Sequence, residues 1–131
     1  MKRLVLAAAL AAAVLLLSSC STGELPKGMD KNAVCERAIA VVDAVCRGDY
    51  TVIPDDLPDG QTPEARMDAI QTRLAALGSF SEYRLIQAVG SKSSDGAPSA
   101  VVILNCAFEN GAATFTLSFD TGYRLTGIYL K

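Results

Sequence analysis

Apolar positions follow three regimes along the chain. Residues 4–17 form one uncharged apolar run. Over about 30–47 and again over 62–78 the apolar side chains recur every three or four residues, the repeat of an amphipathic helix. From 81 to 130 they alternate, the repeat of a strand with one buried face. In the helical regime Val34, Ala38, Val41 and Val45 make one stripe, and Cys35, Ile39, Val42 and Cys46 an adjoining one. A helix apolar over so much of its girth needs cover on more than one side, as in the hollow of a curved sheet. Asp30 is placed to cap it and Gly48 to end it. Thr62 and Pro63 open a second helix with a capping hydroxyl and a proline at the first helical position. Met67, Ile70, Leu74 and Leu77 are its stripe and Gly78 its stop.

The alternating regime predicts strands. Residues 81–91 make the first, and 91–99, rich in Ser, Gly and Pro, turn the chain back. Asn110-Gly111 between two strand-like runs is the strongest short-range hairpin signal. As a two-residue turn it sets 108 opposite 113, 106 opposite 115, 104 opposite 117 and 102 opposite 119. One face then carries Val102, Leu104, Cys106, Phe108, Phe115, Leu117 and Phe119; the other carries Asn105, Ala107, Thr114, Thr116 and Ser118. At Asp120-Thr121-Gly122, a three-residue turn with Gly122 in the left-handed position pairs Phe119 with Tyr123 and Leu117 with Leu125. Tyr123, Leu125, Gly127 and Tyr129 then point inward. Val101, Ile103, Ile128 and Leu130 form an outward mixed patch, a partner face for a second copy or another envelope protein. The expected fold is α+β: two N-terminal helices packed on a curved antiparallel sheet of about four strands.

Composition adds an address. Met1-Lys2-Arg3, the apolar run and a small-residue junction describe an export signal, too short to span a bilayer. Leu17-Ser18-Ser19-Cys20 resembles the lipobox of bacterial lipoproteins. That resemblance implies a diacylglyceryl group on the Cys20 thiol, cleavage before Cys20, and often acylation (palmitate) of the new amino terminus. The chain then divides into a signal peptide at 1–19, a lipidated cysteine and tether at 20–28, and a single domain at 29–131. It would sit on the extracytoplasmic side of a bacterial cell membrane. Two acyl chains hold firmly where one holds only reversibly.

The 112 residues that remain after cleavage suffice for one domain. They hold ten basic and fourteen acidic residues, a net charge of −4, with no Lys/Arg cluster. Nucleic-acid binding is therefore disfavoured. No histidine occurs, which removes the usual general base, the usual triads and the commonest zinc ligand. Cys35, Cys46 and Cys106 lack CxxC spacing, and neither a metal nor a cofactor is indicated. Cys35 and Cys46 on one helix lie about 16 Å apart along it, too far to pair. The spacing thus admits a bridge from Cys106 to Cys35 or Cys46, and equally three buried free thiols. Arg47-Gly48-Asp49 spells a tripeptide of some integrin ligands, but a helix must end at that glycine. Residues 50–61, with Asp55, Asp56 and Asp59, lack the spacing of a calcium loop and read as a solvated surface loop.

Arg47-Gly48-Asp49-Tyr50 after the first helix, Leu77-Gly78-Ser79-Phe80 after the second, and above all Val101–Gly111 followed by Phe115-Thr116-Leu117-Ser118-Phe119-Asp120 and Leu125-Thr126-Gly127-Ile128-Tyr129-Leu130 resemble small secreted bacterial domains of unknown function. Those domains have the nuclear-transport-factor-like, or cystatin-like, cone. The resemblance covers about residues 33–131, and departs from the family at the acidic, proline-rich segment 50–61. It implies a pocket between the helices and the concave sheet, with Tyr50, Tyr83, Tyr123 and Tyr129 at its mouth and an unknown small ligand. The expectation is a non-catalytic binding or interaction domain. The alternatives are a self-pairing structural envelope component and an isomerase- or dehydratase-like enzyme, whose chemistry would need an ionisable group in the apolar cavity.

Overall fold

The computed structural model describes residues 24–93 and 95–131; Cys20 and the segment expected to be the export signal lie outside them. Two helices precede a four-stranded antiparallel sheet. Helix α1 (Lys31–Cys46) begins where expected, with the Asp30 carboxylate accepting from the Ala33 amide at 2.9 Å. Helix α2 (Pro63–Leu77) is capped by the Thr62 hydroxyl, which accepts from the Ala65 amide at 3.1 Å. Between them a short 3-10 turn spans Tyr50–Val52. The strands β1 (Phe80–Lys92), β2 (Pro98–Phe108), β3 (Gly111–Phe119) and β4 (Leu125–Leu130) lie in that spatial order.

One face of the sheet packs on the helices. Val34, Ala38, Val42 and Val45 of α1 and Val102, Leu104, Phe115, Leu117, Phe119 and Ile128 of the sheet are essentially sealed from solvent. Met67, Ile70 and Leu74 of α2 close the same core. Each large side chain so buried contributes about 1.5–3 kcal/mol. The segment 50–61 is only partly the solvated loop its prolines and acids suggest, because Ile53 and Leu57 also enter the core.

Both hairpin registers differ from expectation. In the first, Phe108 faces Gly111, Cys106 faces Ala113, Leu104 faces Phe115, Val102 faces Leu117 and Ala100 faces Phe119. The turn residues are therefore Glu109 and Asn110, neither with a positive φ. The cause is tertiary. The Glu109 amide donates to the Ser79 carbonyl at 2.9 Å and the Asn110 amide to that of Leu77 at 2.8 Å, so the tip is held by the end of α2. Glycine is needed on the other side of this contact: Gly78 has φ 82°, and a Cβ there would lie 3.1 Å from Glu109 Cβ and Asn110 Nδ2. A slip of two residues keeps the side-chain alternation, so the inward set on β2 and β3 is the expected one.

The second hairpin changes more. Its loop runs over 120–124, and Phe119 faces Leu125. Asp120 organises it, its carboxylate accepting from the Gly122 and Arg124 amides at 2.9 and 3.0 Å. Tyr123, not Gly122, takes the left-handed conformation, with φ 63°. The next pair is Ser118 with Gly127, so a bulge leaves Thr126 unmatched and reverses the facing of the residues after it. Ile128, opposite Leu117, is fully buried, while Tyr129, opposite Thr116, is 43% exposed. The expected outward patch is thereby broken: Ile128 and Leu130 pack with the core, and only Val101 and Ile103 stay outside, half-buried.

The described half of the segment expected to be a tether is seated on the domain. Leu25 and Met29 pack against the core, and the Glu24 carbonyl crosses the backbone of Gly90, where a Cβ would lie 1.8 Å from it.

Candidate functional site

A cleft of about 680 Å³ lies between the 3-10 turn, the start of α2 and the β3–β4 loop. Arg37, Tyr50, Asp55, Asp56, Glu64 and Arg124 bring charge and an aromatic ring to it, above Ile53 and Leu125. Three pieces of local chemistry shape this wall. Asp49 accepts from the Thr51 amide and hydroxyl, which starts the 3-10 turn and holds its carboxyl below the usual range. Thr62 and Pro63 fix where α2 begins. The Asp120 clasp presents Arg124, whose guanidinium approaches Asp120 no closer than 4.0 Å and is largely in solvent. Arg37 has no ion-pair partner among the described residues. Two weakly engaged guanidinium groups beside three carboxylates can hold a ligand that carries both signs of charge.

A second cleft of about 390 Å³ runs between α2 and the β4 edge. Its floor is Arg66, 6% exposed, which sequence reasoning passed over. Arg66 donates through Nε to Gln61 Oε1 at 2.8 Å, and through its other nitrogens to the Ile128 carbonyl and the Asp59 carboxylate. Its guanidinium carbon lies 4.8 Å from the centre of the Tyr129 ring. With all three nitrogens engaged, this group closes the open side of β4 rather than awaiting a ligand. The signal for it is visible in the spacing: Arg66 stands four residues before Ile70, on the apolar stripe of α2, where a charge needs a reason.

The four tyrosines do not converge on one mouth. Tyr50, 46% exposed, lines the large cleft, and Tyr129 stacks on Arg66 at the β4 edge. The Tyr123 hydroxyl accepts from the Asp30 amide at 2.8 Å, pinning the β3–β4 loop to the start of α1. The Tyr83 hydroxyl donates to Asp43 at 3.4 Å, and its ring packs 4.8 Å from Phe80. Burial, then the negative charge of Asp43, raises the Tyr83 phenol above its ordinary range. The inward faces of β2 and β3 carry no carboxylate or base, and α1 fills the space against them.

Cys35, Cys46 and Cys106 are all free. Burial pushes the Cys106 thiol up to about 11, with nearby Cys46 adding to it. Burial also raises Cys46, with Asp43 adding, and raises Cys35 against the opposing effect of Lys31. Thiols held in the protonated form are poor nucleophiles. Among the described residues no group of three or more acidic or cysteine side chains is placed to hold a metal ion, and no helix is long and apolar enough to cross a membrane.

Comparison with known proteins bears on the fold. No family model matches the chain, and no curated protein does. Among solved structures, the chain is similar to a protein from Ruminococcus gnavus ATCC 29149 determined by NMR, with a TM-score of 0.68 at 22% identity. The match covers 82% of this chain and 96% of that one. At that identity the likeness carries the α+β architecture alone.

Proposed function

We propose that the chain is the extracytoplasmic binding domain of a lipid-anchored bacterial lipoprotein, built on a cystatin-like cone, and that it is not an enzyme. The anchor rests on the lipobox-like Leu17-Ser18-Ser19-Cys20. The observation that carries the binding role is the 680 Å³ cleft, in which Arg37 and Arg124 lack close ion pairs while the apolar face of the sheet is already covered by α1. The ligand that suits it is a small zwitterion, such as an amino acid or the end of a peptide, with its carboxylate on the arginines and its amine towards Asp55, Asp56 and Glu64. A non-catalytic role agrees with the same geometry. The cleft is open to water, whereas proton-transfer chemistry is favoured by an enclosed, water-excluded setting.

Titration calorimetry of the soluble domain with amino acids and dipeptides tests the binding half. Binding should weaken about tenfold or more in Arg124→Ala and in Arg37→Ala, the loss of one charge-assisted hydrogen bond each. Absence of heat and of thermal stabilisation across the panel would overturn it. The anchor half is read by intact mass. Wild type isolated from membranes should carry a diacylglyceryl group that Cys20→Ala lacks, and an unmodified wild-type mass rejects it.

A further inference from the structure

We infer that the domain is held in one orientation on the bilayer, with the β1–β2 hairpin tip against the lipid headgroups and the β2–β3 tip pointing away. The inference rests on the lipid anchor proposed at Cys20. Its structural basis is the seat of Glu24 against the sheet. Glu24 lies in a cleft with Pro26, Ser91, Lys92 and Pro98, at the far end of the paired β1 and β2. The backbone contact of Glu24 on Gly90 is too close to admit even a methyl group there. Leu25 and Met29 then bury against the core, and the Met29 amide donates to the Pro26 carbonyl at 3.0 Å, so the chain is seated from this point on.

Three residues lie between Cys20 and Glu24, and the four residue steps reach at most about 14 Å. The hairpin tip therefore stays within that reach of the lipid. The same end of the molecule carries the start of α1 and the β3–β4 loop, tied by the Asp30–Tyr123 hydrogen bond beside the paired Ala100 and Phe119. The opposite end is the Glu109–Asn110 turn bonded to the end of α2. The eleven residues of β2 join the two ends. At about 3.3 Å per residue they separate them by roughly 30 Å. The partner is the lipid surface, met through the anchor and not through charge, since Lys27, Lys31 and Lys92 at this end are offset by Glu24, Asp30 and Asp95. The large cleft, with Arg124 and Leu125 in its wall, then opens on the bilayer-proximal part of the domain.

The chain has no tryptophan, so a single introduced one is an unambiguous donor. Lys92→Trp and Ala76→Trp, both at exposed positions, mark the two ends. The lipidated proteins, their anchor verified by mass, are placed in phosphatidylcholine vesicles containing dansyl-labelled phosphatidylethanolamine, and energy transfer is read. Transfer should be about threefold or more greater from Lys92→Trp than from Ala76→Trp, as expected of ends about 30 Å apart. Ala97→Trp reports the same tip should Lys92→Trp fail to fold. Equal transfer from the two ends, or more from Ala76→Trp, with the lipid present overturns the orientation and leaves the lipoprotein reading standing. A mass without lipid overturns both.

Discussion

Cys106 lies on the inward face of β2, 1% exposed, with its thiol raised to about 11. A group whose folded pKa exceeds its unfolded value lends stability that is whole below the unfolded pKa and lost as pH climbs towards the folded one. For this thiol the window runs from about 9.0 to about 11. Tyr83 and Cys46 shift in the same direction and add to the loss. Urea midpoints should therefore fall as pH rises through that window, and Cys106→Val should flatten part of the fall. A midpoint independent of pH across the window would contradict this account. Cysteine count and spacing left the state of these residues open, because pairing depends on which faces meet, and that is a property of the packed molecule.

At the scale of elements, β4 is an edge strand six residues long, and its free side is closed by one guanidinium. Replacing Arg66 with methionine keeps most of the apolar volume but strands the Ile128 carbonyl and frees Asp59. The expected cost is about 1–3 kcal/mol, that of leaving a buried acceptor unsatisfied. Asp59→Asn should cost less, because Asp59 is 40% exposed and the carbonyl contact survives. Urea unfolding of the two variants checks the order, and an Arg66→Met protein as stable as wild type would show that the edge needs no closure. The helices themselves were legible: Asp30, Thr62, Pro63 and Gly78 mark starts and stops through bonds made within one turn. Arg66 was not, because its partners lie in a loop and on a strand 62 residues away.

For the whole molecule, the point that matters is how the amino-terminal segment joins the sheet. Gly90→Ala places a methyl group where the Glu24 carbonyl now sits, so residues 24–29 must lift while the paired strands remain. Trypsin should then cut after Lys27 several-fold faster, as followed by fragment mass, with about 1–2 kcal/mol of stability lost as Leu25 leaves the core. Unchanged cleavage would mean that the contact does not hold the segment. A composition of Gly, Pro and Lys reads as a flexible tether, yet Leu25 within it and Met29 just after it are enough to seat it once a sheet is there to receive them.

What the sequence alone determined is local or periodic: an apolar helix that must be covered, a second capped helix, and the inward face of β2 and β3. Alternation survives a slip of two residues, so periodicity alone places Phe115, Leu117 and Phe119 in the core even though their cross-strand partners are not those the turn signal predicts. Tertiary structure decided the rest. The first register comes from two hydrogen bonds to the end of α2, and the second from an aspartate clasp and a one-residue bulge. A bulge reverses alternation without altering composition, which is why Ile128 reads as surface in the sequence and is sealed in the core of the fold.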